Sequence, residues 1–174
     1  GGGGGGGEVD GLVPLTVPFR RTFAGSAAVV AHGGTAAPPS LGVCTAVVFG
    51  SPPPLQLWLR HVLHNVGAHR VYAYTTKLSR RAAEELRGWG DAVETMPWDS
   101  RLGTDAVFYR SQIPAYVDCW LRFGHRHSWL LFLDTDDFVA MPPTVEHGTA
   151  LALLESFPPH VGRVAFRWRR KPRC

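Results

Sequence analysis

Asp134, Asp136 and Asp137 place three carboxylates within four positions, directly after the unbroken apolar run from Trp129 to Leu133. Three like charges so close repel one another unless a cation or hydrogen-bond donors offset the cost. Carboxylate oxygens suit hard cations such as magnesium or manganese, which commonly take one or two protein carboxylates and complete their shell with water and phosphate oxygens. The economical chemistry is therefore a divalent metal carrying a phosphorylated ligand. If the strand runs on through the acidic residues, alternation turns Asp134 and Asp136 to one side and Asp137 to the other. Asp134 and Asp136 would then share the ligand, while Asp137 would support them from behind.

The elements that must position these groups alternate along the chain. Val43 to Phe49 reads as a first strong strand, broken by Gly50 and three prolines. Leu55, Trp58, Leu59, Val62, Leu63 and Val66 recur at helical spacing, and Gly67 ends that helix. Val71 to Tyr74 is a second strand. Ser79 can cap a second helix carrying Ala82, Ala83 and Leu86, and Ala92 to Met96 is a third strand. Asp99 to Thr104 reads as a polar loop. Ile113, Tyr116, Val117, Trp120 and Leu121 then predict an amphipathic helix with that stripe buried and Pro114 in its first turn. The acidic strand follows, then a helix through Leu151, Leu154 and Phe157, and a strand from Val164. A βαβ alternation of this kind predicts an α/β fold with a mostly parallel sheet and flanking helices. The acidic residues would lie at the carboxyl end of a buried strand, where such sheets bind ligands.

Composition bounds the partners. Hydrophobic residues make up 45% and charged residues 18%, which predicts a packed core. Net charge is +4 and much of the excess crowds Arg163 to Arg173, which reads as a solvated or cut-off segment rather than a nucleic-acid surface. No apolar run reaches the length of a membrane span. Residues 1–40, rich in Gly, Ala and Pro, read as a low-complexity arm, with a spare edge strand near Ala27 to Ala31 as the rival reading. The chain opens on Gly1 and ends inside a strand pattern, so we expect a fragment. Cys44 and Cys119 can pair in an oxidising lumen, although sequence does not fix this, and Cys119 reads most simply as a small buried residue.

Other uses of an acidic strand end fare differently. An EF-hand counted from Asp134 would need Gly where Val139 stands and an acid where Val145 stands. The phosphate loop of a nucleotide hydrolase is missing. A haloacid-dehalogenase phosphatase would use Asp134 as nucleophile and Asp136 as acid and base, but its acidic strand comes first in the domain. Plainer readings stand beside these. Gln112 can be a helix-start residue. Asp118 and Arg122, four apart, can simply pair. Trp58, Trp120 and Trp129 read as core, and His125 and His127 as a solvated loop. His61 and His64 share a helix face with no third ligand nearby.

Gln112, the Asp118-Cys119 pair, Trp129, and then Asp134-Thr135-Asp136-Asp137-Phe138 together resemble glycosyltransferase family 92. Trp58 with a nearby His before Gly67, the strand Val71 to Tyr74, and Val164 to Trp168 are similar as well, so the resemblance spans about residues 43 to 168. It departs at Thr75, where the family usually has Asp after the Tyr. The resemblance implies a Rossmann-like nucleotide-diphospho-sugar transferase fold (GT-A), truncated here, with residues 41–174 forming the donor-binding half. It implies a UDP-sugar donor, galactose as the sugar, transfer to a glycan acceptor with inversion, and a divalent metal, usually manganese. Asp136 would bind that metal and Asp134 would contact it or the ribose. Gln112 and Tyr74 would lie on the donor side, with Asp118 and Asp137 supporting. A membrane anchor in the full-length protein and the lumenal side of the Golgi follow from the same resemblance. The base that inversion needs is expected outside this chain, which need not be active alone.

Overall fold

In the computed structural model, the described residues are 28–31, 39–48, 55–76, 78–98, 108–140 and 148–166. The polar loop expected at Asp99 to Thr104 and the basic residues after Phe166 lie outside them. Six strands form one sheet: β1 (Ala28–Ala31), β2 (Leu41–Val48), β3 (Arg70–Thr76), β4 (Val93–Pro97), β5 (Trp129–Phe132) and β6 (Arg163–Ala165). The spatial order is β4-β3-β2-β5-β1-β6. Strands β2 to β5 are mutually parallel, with Cys44 opposite both Tyr72 and Phe132. Strand β1 runs antiparallel to β5 and β6. The rival reading of the N-terminal stretch is thus the one the fold adopts at Ala28–Ala31, and the strand is interior rather than at an edge. It pairs with all of β5, so the acidic strand is flanked on both sides.

Among the described residues, four α-helices connect these strands: α1 (Leu55–Arg60), α2 (Arg80–Arg87), α3 (Phe108–Phe123) and α4 (Ala150–Glu155). The first two crossovers carry the chain outward from β2 to β4. The third, through α3, returns it to the other side of β2. Helices α1, α2 and α4 bury Leu55, Trp58, Leu59, Leu86, Ala150 and Leu154 on one sheet face. Helix α3 covers the other face with Ala115, Tyr116, Cys119 and Phe123. Coverage on both sides is why β5 is apolar at every position and fully buried. Strand order reverses between β2 and β5, and the carboxyl ends of the strands at such a reversal are the usual ligand position in an open α/β sheet.

Local chemistry fixes several boundaries. Ser79 accepts the Ala82 amide at 3.1 Å and starts α2, as its type predicts. Thr149 does the same for Ala152 at the start of α4, at 3.2 Å. Helix α1 passes into a π-helical stretch at His61–Val66, ended by Gly67 at φ 81°, where a Cβ would lie 3.1 Å from Thr149 Cβ. The π-helical winding also parts the two histidines. His61 packs on Phe138 and His64 on Trp89.

Helix α3 corrects the sequence expectation twice. Its predicted stripe is mostly turned outward: Ile113, Val117, Trp120 and Leu121 are exposed, and of that set only Tyr116 faces the sheet. A second stripe of Ala115, Tyr116, Cys119 and Phe123 is buried instead, because small residues at 115 and 119 let the helix lie close on the sheet. Trp120 is therefore not core, whereas Trp58 and Trp129 are. The helix also starts at Phe108, so Pro114 lies inside it rather than in its first turn.

A disulfide joins Cys44 of β2 to Cys119 of α3, 75 positions apart in sequence, with the two Cα atoms 6.2 Å apart. Closing a loop of that length stabilises the fold by about 4 kcal/mol in the chain-entropy account. His127 is no solvated loop residue: its Nε2 lies 2.8 Å from the Tyr72 hydroxyl. The ring fills the space where a Cβ on Gly42 would come within 2.6 Å.

Candidate functional site

The acidic residues lie just past β5. The strand ends at Phe132, and the Leu133 amide continues the pairing, donating to the Cys44 carbonyl at 3.2 Å. A turn follows, closed by the Asp137 amide on the Asp134 carbonyl at 3.1 Å. Strand alternation therefore does not govern Asp134, Asp136 and Asp137. The turn itself sets their directions.

Asp134 is half-buried and faces α3. Its Oδ1 accepts hydrogen bonds from the Tyr116 hydroxyl at 2.7 Å and from Gln112 Nε2, and Gln112 Nε2 also reaches Tyr116 Oη at 2.9 Å. Gln112 and Tyr116 are four apart on the inner side of α3, so one helical turn delivers both donors to one carboxylate oxygen. Burial pushes the Asp134 carboxyl above the usual carboxylate range. The Tyr116 bond opposes that, the nearby Asp136 charge reinforces it, and the Gln112 bond opposes it again. Burial and the adjoining Asp134 carboxylate raise the Tyr116 phenol well above its ordinary value, so it stays a donor.

Asp136, at the tip of the turn, is exposed, and among the described residues no hydrogen bond or ion pair ties its carboxylate. Asp137 is half-buried and its carbonyl accepts the Trp58 indole N–H at 3.0 Å, which anchors the turn to α1. Beyond it Phe138 is exposed over His61, the ring centroids 5.0 Å apart, and Val139 returns to the core. Burial holds the His61 imidazole below its ordinary range, against an opposing hydrogen bond with the Val139 backbone.

The remaining predicted residues gather in a second cluster under the same helix. The Tyr74 hydroxyl donates to Asp118 Oδ2 at 2.6 Å, and Asp118 pairs with Arg122 as the spacing predicted. Tyr74 is 1% exposed, and burial with the Asp118 contact raises its phenol far above the ordinary range. The structure thus brings Gln112 to Asp134 and Tyr74 to Asp118, with α3 as the common support. Tyr116 was read from sequence only as a core position. A phenol in a buried stripe needs a hydrogen-bond partner, and its place four residues after Gln112 was the available signal.

The donor set can be tested against a hard cation. Among the described residues, no group of three or more His, Cys, Asp or Glu converges on one point. A closed protein cage is therefore not what the turn offers. Among the described residues, it offers one carboxylate held through Oδ1 by two donors, and a second, exposed carboxylate two residues on that no hydrogen bond or ion pair ties. That pattern suits a magnesium- or manganese-type ion, which keeps most positions for water and phosphate oxygens. A desolvated carboxylate beside a second charge also gains most from a cation.

Comparisons with curated proteins and with solved structures gave no match. The model for Glycosyltransferase family 92 matches residues 40–171, well over half of the chain. That match leaves the phosphatase reading without support. With the parallel sheet, the strand reversal and the acidic turn beside it, the chain belongs to glycosyltransferase family 92 and is a glycosyltransferase of α/β, GT-A-like fold.

Proposed function

We propose that the acidic turn binds the diphosphate of a UDP-sugar through a divalent cation, manganese by preference, for inverting transfer of galactose to a glycan acceptor. The observation that carries this reading is the pairing of a half-buried, doubly hydrogen-bonded Asp134 with an exposed Asp136 at the strand-order reversal. Asp136 is the cation ligand, and Asp134 holds the ribose or the cation's water. When bound, such a cation supplies positive charge against a diphosphate leaving group.

The chain's own contribution is orientation. Tyr116 and Gln112 together hold Asp134 by its Oδ1. The Trp58 contact to the Asp137 carbonyl fixes the turn, so Asp136 projects outward rather than folding back. The disulfide supports placement in an oxidising compartment, and we place the protein on the lumenal side of the Golgi membrane.

Binding of UDP to the purified chain, measured by calorimetry with and without manganese, tests the reading. We expect manganese-dependent binding that Asp136→Ala abolishes. Unchanged melting temperature and no heat with UDP or UDP-sugars in saturating manganese would overturn it.

A further inference from the structure

We propose that the Cys44–Cys119 disulfide is a positioning element of the carboxylate site, holding the two elements that meet at Asp134. On one side, Cys119 lies three residues beyond Tyr116, so it shares the inner face of α3 with both donors to Asp134. On the other side, Cys44 is opposite Phe132, and its carbonyl accepts the Leu133 amide at 3.2 Å, one residue before Asp134. The contacts close a ring: Asp134 to Tyr116, along one turn to Cys119, through the sulfurs to Cys44, and across the β2–β5 pairing back to Leu133. Every link but the disulfide is a hydrogen bond or a backbone segment.

The ring matters because β5 has only four residues and the chain turns immediately after it. The Leu133 amide is the last sheet bond before the acidic turn. Helix α3 meets the sheet through Tyr116 and Phe123 and, between them, through Ala115 and Cys119, small side chains that bring it close. Both cysteines are fully buried, so the covalent link lies within the core, beneath the site. A bond closing a loop of the same length elsewhere would stabilise the fold similarly in the chain-entropy account, but would not join these two segments.

The test compares wild type, Cys44→Ala/Cys119→Ala, Tyr116→Phe and the combined variant in the full chain. Two readouts are used: manganese-dependent UDP affinity, which rests on the donor-site reading above, and amide hydrogen exchange without ligand, which does not. We expect the cysteine pair and Tyr116→Phe each to weaken affinity about tenfold, the usual scale for groups that orient a metal ligand. Their combination should cost little more than either alone, because both act on Asp134. Exchange in residues 112–119 and 133–137 should quicken more than in residues 70–76 and 93–97.

Exchange that quickens equally in all four segments, or additive losses of affinity, would overturn the proposal and leave a general staple. If wild type itself binds no UDP with manganese, the donor-site reading fails and the exchange pattern alone decides this one. Should the cysteine variant not fold, wild-type chain reduced with a water-soluble phosphine and then re-oxidised allows the same two readouts. Recovery of both on re-oxidation is the expected result, and unchanged exchange on reduction the contrary one.

Discussion

The phenol of Tyr116 donates to Asp134 Oδ1 at 2.7 Å and ties the one long helix on its sheet face to the turn that follows β5. The bond joins residues 18 apart in sequence. It holds a carboxylate in a place that disfavours its charge. Burial outweighs the two hydrogen bonds, so the fold pays for keeping Asp134 ionised.

Asp134→Asn keeps an oxygen for Tyr116 and Gln112 and removes that charge. A carboxyl raised in the fold contributes stability below its unfolded value and loses it as pH rises through the folded one. At neutral pH the unliganded variant is therefore expected to melt at or above the wild-type temperature, and the gap should close in acid. With manganese and UDP only wild type should gain. Calorimetric melting at several pH values checks both statements, and a variant clearly less stable at pH 7 would contradict the first.

His61 carries the opposite sign. Its imidazole is held below the ordinary range by burial, so the fold prefers it neutral. Its share of stability is present above the unfolded value, about 6.5, and is lost as pH falls through that and toward the folded value. His61→Phe retains a ring against Phe138 and does not titrate. The melting temperature of wild type should drop more steeply than that of the variant between about pH 7 and 5. Parallel slopes would show that His61 does not sense acid in this fold.

The orientation of α3 is tested by its two stripes. Leu121 is 68% exposed, so Leu121→Gln should leave unfolding free energy within about 0.5 kcal/mol of wild type. Ala115 is 1% exposed against the sheet, so Ala115→Leu should cost about 1–3 kcal/mol through overpacking. Urea titration with an unchanged slope measures both. The reverse ranking would mean that the helix lies on its other side.

The amino-acid sequence by itself determined what depends on neighbours along the chain. The βαβ alternation, the Ser79 cap, the Asp118–Arg122 pair and the two-faced burial of β5 all follow from spacing and residue type. That Asp134, Asp136 and Asp137 directly follow a buried strand was legible too, because the unbroken apolar run stops at Leu133. What tertiary structure decided are the choices for which sequence offers two equal answers. Helix α3 carries two stripes of suitable spacing, and the close approach allowed by Ala115 and Cys119, with the bond to Cys44, selected one. Strand alternation through Asp137 gave way to a turn, because only β1 and β2 could say where pairing stops. Tyr116 looked like core until the turn brought Asp134 under its hydroxyl. Periodicity encodes a face, but which face is buried, and what lies opposite, depends on residues far away in the chain.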